Sequence, residues 1–205
     1  GVVELQDGAS QAAMAALDVP EGGRVLDYCA GGGGKTLALA ARCDAQWFAH
    51  DAEPRRMADL PARAARAGVA VQVLEPGAAR DAGPFDLVLC DAPCSGSGTW
   101  RRSPDAKWRL TPERLAELTG LQARILDEAQ SLVAPGGQLV YATCSVLRAE
   151  NEAQSEAFAE RYPQWTEVLR RRWPVAEDGD GFYLSVFRGG WPAHCTTLTG
   201  KAGCR

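Results

Sequence analysis

The sequence predicts an α/β fold with a mostly parallel sheet and helices on both of its faces. Short apolar segments of strand length alternate with segments of helical composition along the 205 residues, and this alternation is typical of right-handed βαβ units. Four consecutive glycines, at positions 31–34, follow the first predicted strand and precede a helix. A glycine-rich turn between a strand and a helix is a common site for anionic or nucleotide-like ligands.

Length and composition indicate one large domain or two small ones. The 46% hydrophobic and 23% charged content is ordinary for a globular protein. No apolar run approaches the roughly 18 residues that span a bilayer, and no secretory signal opens the chain, so we expect a cytoplasmic protein without a membrane partner. The net charge of -4 argues against attraction of the whole surface to nucleic acid. A local basic patch stays possible.

The cysteines point to reduced thiols in a cytoplasmic protein, because they are odd in number and spread through an α/β pattern. Zinc is the rival use of such residues. Two of them form a CxxxC pair, but no second pair follows at ligand spacing and the chain has only two histidines. We therefore predict no metal site. The seven cysteines are Cys29, Cys43, Cys90, Cys94, Cys144, Cys195 and Cys204.

The first half of the chain is predicted to contain three helices and four strands. The first strand ends in Asp27, and the second is followed directly by Asp51. Pro61 is expected to bend or shorten the third helix, because proline removes a backbone donor. The predicted helices cover residues 8–17, 36–42 and 55–67, and the predicted strands cover residues 24–28, 47–50, 69–74 and 85–90.

The second half begins with the longest helix, capped by Thr111 and with Pro112 at its first helical position. The Pro-Gly-Gly stretch at 135–137 is expected to end this helix. A strand at 138–143, a helix at 150–161 and a closing strand at 181–188 follow. We assign residues 1–190 to one catalytic domain, with a tail of unclear role at 191–205.

Three ligand chemistries compete for the glycine loop. A phosphate-binding P-loop needs GxxxxGK[ST], but Cys29 stands where its first glycine should be. The dinucleotide fingerprint GxGxxG fails because Thr36 occupies the third glycine position. The third chemistry is S-adenosylmethionine, with Asp51 as the acid for its ribose. A turn needed only for tight packing is the alternative, although four glycines lose much conformational entropy on folding.

Four motifs together resemble the RNA 5-methylcytosine methyltransferases of the Sun/NOL/NOP family, and most of all its RsmB/Sun-like members. They are DYCAGGGGKT at 27–36, the strand ending in HD at 50–51, DAPCSGSG at 91–98 and YATCS at 141–145. The resemblance extends from residue 6 to residue 188. It implies a Rossmann-like S-adenosylmethionine-dependent methyltransferase fold, and methyl transfer to carbon 5 of cytosine in RNA, with ribosomal RNA the expected substrate.

The resemblance also implies roles for individual residues. Cys144 would be the nucleophile that adds to carbon 6 of the base, and Cys94 would assist release of the product. Asp91 would hydrogen-bond nitrogen 3 of the base. The alternative for a free cysteine is a small core residue, which we accept for Cys43 and Cys90. The residues expected to bind the cofactor are Cys29, Ala30, Gly31, Gly32, Gly33, Gly34, Lys35, Asp51, Arg56 and Asp91.

Cations and an aromatic residue are interleaved at positions 101–109, directly after the DAPCSGSG motif. Such a stretch suits phosphate contact and base stacking on single-stranded RNA, and the resemblance favours this role. The alternative is a solvated loop with one buried tryptophan. The residues that we expect to bind RNA are Arg101, Arg102, Lys107 and Trp108.

The sequence departs from the family pattern in three places. Gly32 stands where the family usually has proline, and Gly77 lies near the position of the acid that holds adenine, with Glu75 as a substitute. Family members also carry an RNA-recruiting region before the catalytic domain, so we interpret this chain as the catalytic domain alone, acting as a monomer. Two other functions stay open: a methyltransferase with a non-RNA substrate, and a non-catalytic RNA-binding module.

Overall fold

The computed structural model describes residue 3, residues 5–177 and residues 179–189. The predicted tail at 191–205, with Cys195 and Cys204, lies outside the described residues. Within the described part of the chain, no helix is both long enough and apolar enough to cross a membrane.

The described residues form a seven-stranded sheet of order β3-β2-β1-β4-β5-β7-β6. The first five strands in this order pair in parallel, and only β7 runs against its neighbours β5 and β6. The prediction of a mostly parallel sheet is therefore confirmed. The strands are β1 (Arg24–Asp27), β2 (Gln46–Ala49), β3 (Val71–Val73), β4 (Phe85–Asp91), β5 (Val133–Thr143), β6 (Trp165–Trp173) and β7 (Phe182–Gly189).

Helices cover both faces of this sheet. On one face, α6 and α7 contribute Ile125, Leu126 and Phe158 to the core, while α1 and α2 contribute Met14 and Leu39 to the opposite face. The helices are α1 (Gly8–Ala15), α2 (Gly34–Ala40), α3 (Leu60–Ala67), α4 (Ala79–Ala82), α5 (Ala106–Arg109), α6 (Pro112–Ala129) and α7 (Glu152–Arg161).

Alternation along the central strands divides the core between the two faces. In β4, Val88 and Cys90 point to the α6 side, whereas Leu87 and Leu89 point to the α1 side. All four side chains are fully buried. Strands that are buried on both faces give nearly continuous apolar sequences, which explains why β4 was easy to predict.

The expectation that the Pro-Gly-Gly stretch ends the long helix is wrong. The helix α6 ends earlier, at Ala129, and β5 already begins at Val133. The stretch instead forms an irregularity within β5, because the step from Val133 to Gln138 lies opposite the short step from Phe85 to Leu87. Such a bulge uses glycine where the backbone turns sharply, and one of its glycines, at position 136, has a φ of 77°.

Strand β6 was missed because its sequence carries a weak strand signal. Three arginines occupy positions 170–172, and most of the strand is exposed or only half-buried. Pairing with β7 forms it nevertheless, and ion pairs of Arg170 with Glu167 and of Arg172 with Glu152 cover this edge of the sheet with charge.

Pro61 shortens the third helix as expected, since α3 starts only at Leu60, after a separate 3-10 turn at Pro54–Met57.

The sheet order places three strand ends together. Strands β1, β4 and β5 are neighbours and run in the same direction, so Asp27, Asp91 and Thr143 all end at one edge. The order of the strands reverses between β1 and β4, and this reversal opens a crevice outside their carboxyl ends. Ligands of parallel α/β proteins bind in such a crevice.

Candidate active site

A cavity of about 390 Å³ opens at this edge of the sheet. Its volume lies within the range of ordinary small-molecule sites. The glycine loop forms one wall, and the segments that follow β4 and β5 contribute the floor. Ten of the residues predicted to act in the site line the cavity: Cys29, Ala30, Gly31, Gly32, Gly34, Lys35, Arg56, Asp91, Arg102 and Cys144.

An ion pair crosses the floor of this cavity. Nζ of Lys35, in the first turn of α2, lies 2.6 Å from Oδ2 of Asp91, the last residue of β4. Burial lowers the pKa of Lys35, but its contact with Asp91 outweighs burial and the net pKa is raised. Lys35 therefore stays charged near the thiol of Cys144, where it partly offsets the negative charge of Asp91.

The two thiols predicted to do the chemistry face each other. Sγ of Cys94 lies 3.5 Å from Sγ of Cys144, although the two residues are fifty positions apart in the chain. The hydrogen bond from Cys94 lowers the pKa of Cys144 against the opposing effects of burial and of Asp91, and Lys35 lowers it further. The same bond and burial raise the pKa of Cys94 well above its ordinary value. Cys144 is thus favoured as the thiolate, and Cys94 as the thiol that donates to it.

Asp27 lines the cavity, although the sequence analysis assigns it no role. It is buried, and its Oδ2 accepts a hydrogen bond of 2.7 Å from the hydroxyl of Thr36. Its Oδ1 has no partner among the described residues, although Asp27 lines the cavity. Burial raises the pKa of Asp27 to about 6. An acid that ends the first strand directly before a glycine loop was the available signal for this residue.

Asp51 and Gly33 shape the glycine loop and are not among the residues that line the cavity. The buried carboxylate of Asp51 accepts the backbone N–H of Gly31 at 2.9 Å and lies 3.3 Å from the guanidinium of Arg56. Gly33 has a φ of 78°, and a Cβ there would lie 2.2 Å from a methyl carbon of Leu60. Glycine is therefore required at this position for packing and for its backbone conformation.

The residues predicted to bind RNA separate into two pairs. Arg102 forms an ion pair with the buried Asp180, and a guanidinium nitrogen of Arg101 donates to a backbone carbonyl at position 177, 2.5 Å away. Both arginines thus hold the loop after β4 against the segment before β7. Lys107 and Trp108 lie on α5, where the tryptophan is 81% exposed and the ammonium lies 5.5 Å from its ring. The alternative of a buried tryptophan does not hold for Trp108.

The remaining described cysteines have packing roles or a place in the cofactor loop. Cys90 is fully buried in β4, and Cys43 donates to the carbonyl of Leu39 at the end of α2. The core role that we predicted holds for Cys90, whereas Cys43 is half-buried and packs against the edge of the core. Cys29 lines the cavity, and burial raises the pKa of its thiol, so this residue is unsuited to nucleophilic attack.

A family model described as 16S rRNA methyltransferase RsmB/F matches residues 14–188 of this chain. The chain belongs to the RsmB/F family. The resemblance found in the sequence motifs is thereby confirmed.

Curated and solved relatives agree with this assignment. The chain is 40% identical over 199 residues to ribosomal RNA small subunit methyltransferase B of Salmonella arizonae, and 38% identical over 200 residues to that of Escherichia coli. Each match covers 90% of this chain and 46% of the relative, so the chain spans about half the length of these proteins. A methyltransferase homolog from Pyrococcus horikoshii shares the fold with a TM-score of 0.76, at 27% identity, covering 90% of this chain and 67% of that one. The Rossmann-like methyltransferase fold is confirmed.

The buried Asp27 predicts a pH-dependent loss of stability. Its pKa is about 6 in the folded protein and 3.8 in the unfolded reference, so the native state binds more protons between these values. Stability should therefore fall as pH rises through this window, by up to about 3 kcal/mol. In Asp27→Asn this contribution is absent, and the variant should gain on the wild type from pH 4 to pH 7 in urea unfolding monitored by tryptophan fluorescence.

Asp18→Asn, at an exposed position just after α1, is the matched control for loss of one carboxylate. A difference between Asp27→Asn and wild type that is the same at pH 4 and pH 7 would contradict the assignment of a raised pKa to Asp27.

Proposed function

We propose that this protein transfers a methyl group from S-adenosylmethionine to carbon 5 of a cytosine in RNA, with ribosomal RNA as the substrate. The observation that carries the proposal is the pair of thiols 3.5 Å apart beside the ion pair of Lys35 and Asp91. A methyltransferase needs one ligand cavity, but only chemistry through a covalent base adduct needs a nucleophilic thiol with a second thiol next to it. The names of the relatives, ribosomal RNA small subunit methyltransferase B, support the choice of RNA.

The residues of the cavity fit S-adenosylmethionine. The unpartnered Oδ1 of Asp27 offers an acceptor for the ammonium group of the methionine part, and the loop of residues 29–34 would enclose that part. Asp51 would act on the cofactor through the loop, since it holds the N–H of Gly31 and lies beside Arg56. When bound, S-adenosylmethionine supplies an electrophilic methyl group.

Carbon 5 of cytosine is too weak a nucleophile to accept a methyl group unaided, and the thiols remove this barrier. The thiolate of Cys144 forms a bond to carbon 6, and the electron pair of the ring's double bond becomes available at carbon 5. Nitrogen 3 is a hydrogen-bond acceptor, so Asp91 would assist this addition as the protonated acid, and the ammonium of Lys35, 2.6 Å away, is the donor from which it can take that proton. The lowered pKa of Cys144 increases the fraction of its sulfur that is present as thiolate.

Release of the product requires two further events. The proton on carbon 5 passes to solvent water, its bonding electrons form the ring double bond again, and the bond between carbon 6 and the sulfur of Cys144 breaks with its electron pair returning to that sulfur. Cys94 is placed to assist this release, because its sulfur lies next to that of Cys144. The two cysteines therefore act in sequence, with Cys144 forming the adduct and Cys94 acting in its resolution.

The target base has to leave any stacked helix before a buried thiolate can reach carbon 6. The exposed ring of Trp108 and the ammonium of Lys107 on α5 suit the unpaired RNA that flanks this base, through stacking and phosphate contact. Arg101 and Arg102 would contribute while they keep the loop after β4 in place. The cavity and α5 together would then bind one extruded nucleotide and its neighbour.

A non-catalytic RNA-binding module with the same fold would not bind the cofactor, so calorimetry distinguishes the two functions. We expect S-adenosylmethionine to bind with a stoichiometry of one, and Asp27→Ala to weaken binding at least tenfold because the ammonium acceptor is lost. Asp18→Ala serves as the exposed control. An absence of measurable heat with the wild-type protein at millimolar cofactor would contradict the proposed methyl transfer.

Cys144→Ala is expected to reduce methyl transfer to the background rate, because the nucleophile is lost and the raised pKa of the neighbouring Cys94 keeps that residue a thiol. The covalent complex between protein and RNA should disappear as well. The measurements are incorporation of labelled methyl groups into ribosomal RNA and denaturing electrophoresis of the complex. Cys43→Ala, which removes a thiol remote from the cavity, is the control and should keep full activity. Full activity of Cys144→Ala would overturn the mechanism, and activity on a small molecule or protein alone would identify a different substrate.

Cys94→Ala is expected to trap the adduct instead of preventing it. The variant should form a covalent protein–RNA complex in the presence of S-adenosylmethionine, since Cys144 is retained, but its turnover should fall by about two orders of magnitude or more because release is impaired. Denaturing electrophoresis after mixing with unmethylated ribosomal RNA measures the complex. Normal turnover without an accumulating complex would remove the role in release, and Cys90→Ala controls for loss of a neighbouring thiol.

A further inference from the structure

The carboxylate of Glu150 is fully buried between the two loops that carry the thiols. It lies in the short turn between β5 and α7, outside the cavity itself. Its Oε1 accepts the backbone N–H of Ser95 at 2.7 Å and the side-chain amide of Gln122 at 3.1 Å. Its Oε2 accepts the hydroxyls of Ser95 and Ser145, the latter at 2.6 Å.

The partners of Glu150 are adjacent to the thiols in the chain. Ser95 follows Cys94 directly, and Ser145 follows Cys144 directly. One rigid, planar group thus receives donors from both loops, with Gln122 of α6 as a third support. Burial of a carboxylate is unfavourable unless its oxygens are fully hydrogen-bonded, and four donors meet this requirement. An apolar residue at position 150 would fill the space but would not join the loops.

A second set of contacts requires the same spacing of the loops. The hydroxyls of Ser97 and Ser145 lie 2.9 Å apart, and the N–H of Gly98 donates to the carbonyl of Cys144, also at 2.9 Å. A Cβ at position 98 would lie 2.8 Å from that carbonyl, so the backbones touch. Small shifts of either loop would break several of these bonds together.

We propose that Glu150 is a positioning residue for the two-thiol chemistry, which holds Cys94 and Cys144 at reacting distance through Ser95 and Ser145. This inference rests on the proposed function, because it gives the spacing of the thiols its purpose. Glu150 touches neither the cavity nor the reacting atoms, so its effect passes through the serines.

The negative charge of Glu150 also acts on Cys94, the thiol whose loop it holds through Ser95. The bond to Cys144 and burial are the main causes of the raised pKa of Cys94, and the negative charge of Glu150 raises it further. Cys94 therefore stays a thiol, which is the form that donates to Cys144. The position of the helper thiol thus depends on this buried carboxylate, and its charge adds a small effect to the protonation of Cys94.

The spacing of the thiols can be measured without RNA or cofactor. Diamide takes up two electrons and two protons from a thiol pair and is reduced to the hydrazine, while the pair becomes a disulfide. Peptide mass mapping reports the rate at which the bridge between Cys94 and Cys144 forms. We expect Glu150→Ala to slow this rate at least tenfold, and Glu150→Gln, which keeps one acceptor oxygen, to give an intermediate rate. Glu160→Gln, on the exposed face of α7, should match the wild type.

Methyl transfer provides the second readout. In the same variants, kcat should fall in the order of the bridging rates, while the Kd for S-adenosylmethionine from calorimetry stays within twofold of the wild type. A role limited to overall stability would lower the melting temperature without this split between kcat and Kd. A folded Glu150→Ala protein that forms the bridge at the wild-type rate would overturn the inference.

Ser145→Ala covers the case in which Glu150→Ala does not fold. It removes the hydroxyl that bonds Glu150 and Ser97 but leaves the carboxylate of Glu150 in place. We expect a bridging rate at least fivefold below the wild type. Wild-type rates in both Ser145→Ala and Glu150→Gln would overturn the positioning role. This result is separable from failure of the proposed function. That failure would appear as full methyl transfer by Cys144→Ala, while the variants of Glu150 and Ser145, which keep both thiols, would still differ from the wild type in bridging rate.

Discussion

Parallel pairing of β4 with β5 is the constraint on which the active site depends. The register sets Asp91, at the end of β4, opposite Ala142 of β5. Cys144 follows Ala142 by two residues, so the acid and this thiol emerge at the same edge of the sheet. Neither loop could be displaced along its strand without losing ladder hydrogen bonds and the buried contacts of both faces. Residues fifty positions apart in the chain thereby become neighbours. The crevice next to β1 then provides the cavity in front of them.

Environment separates the roles of two chemically identical side chains. The hydrogen bond from Cys94 favours the charged form of Cys144 against burial and the nearby Asp91, and Lys35 adds to its effect. The same bond and burial favour the neutral form of Cys94, and Glu150 adds a smaller effect. Pairs of titratable groups with opposed shifts are typical of sites in which one group attacks and the other assists. The proposed division between attacker and helper thus rests mainly on the contact between the two sulfurs.

Several polar residues near the cavity serve the protein itself. Asp51 fastens the glycine loop, and Asp180 holds the arginines that follow β4. Burial of these acids would be costly without such partners, and the bonds that satisfy them also make the loops rigid. A rigid loop keeps ligand groups in place without further loss of entropy on binding. Trp108 on α5 differs from them, since most of its side chain is exposed in the described part of the chain.

The sequence by itself determined the order of the main strands and helices and the family, because these depend on local periodicity and on motifs within a few residues. The same motifs predict the three groups that we propose to react. It also identified Thr111 as a helix cap, which is a local interaction. Only the tertiary structure decided that Pro-Gly-Gly lies in a bulge of β5, that the arginine-rich segment forms β6, and that Glu150 joins the two thiol loops. Each of these depends on a partner distant in the chain. The strand β6 depends on pairing with β7, the bulge depends on the register of β5 against β4, and Glu150 depends on four donors from separate segments. None of these leaves a local signal in the sequence, because each interaction forms only after the fold has brought the segments together.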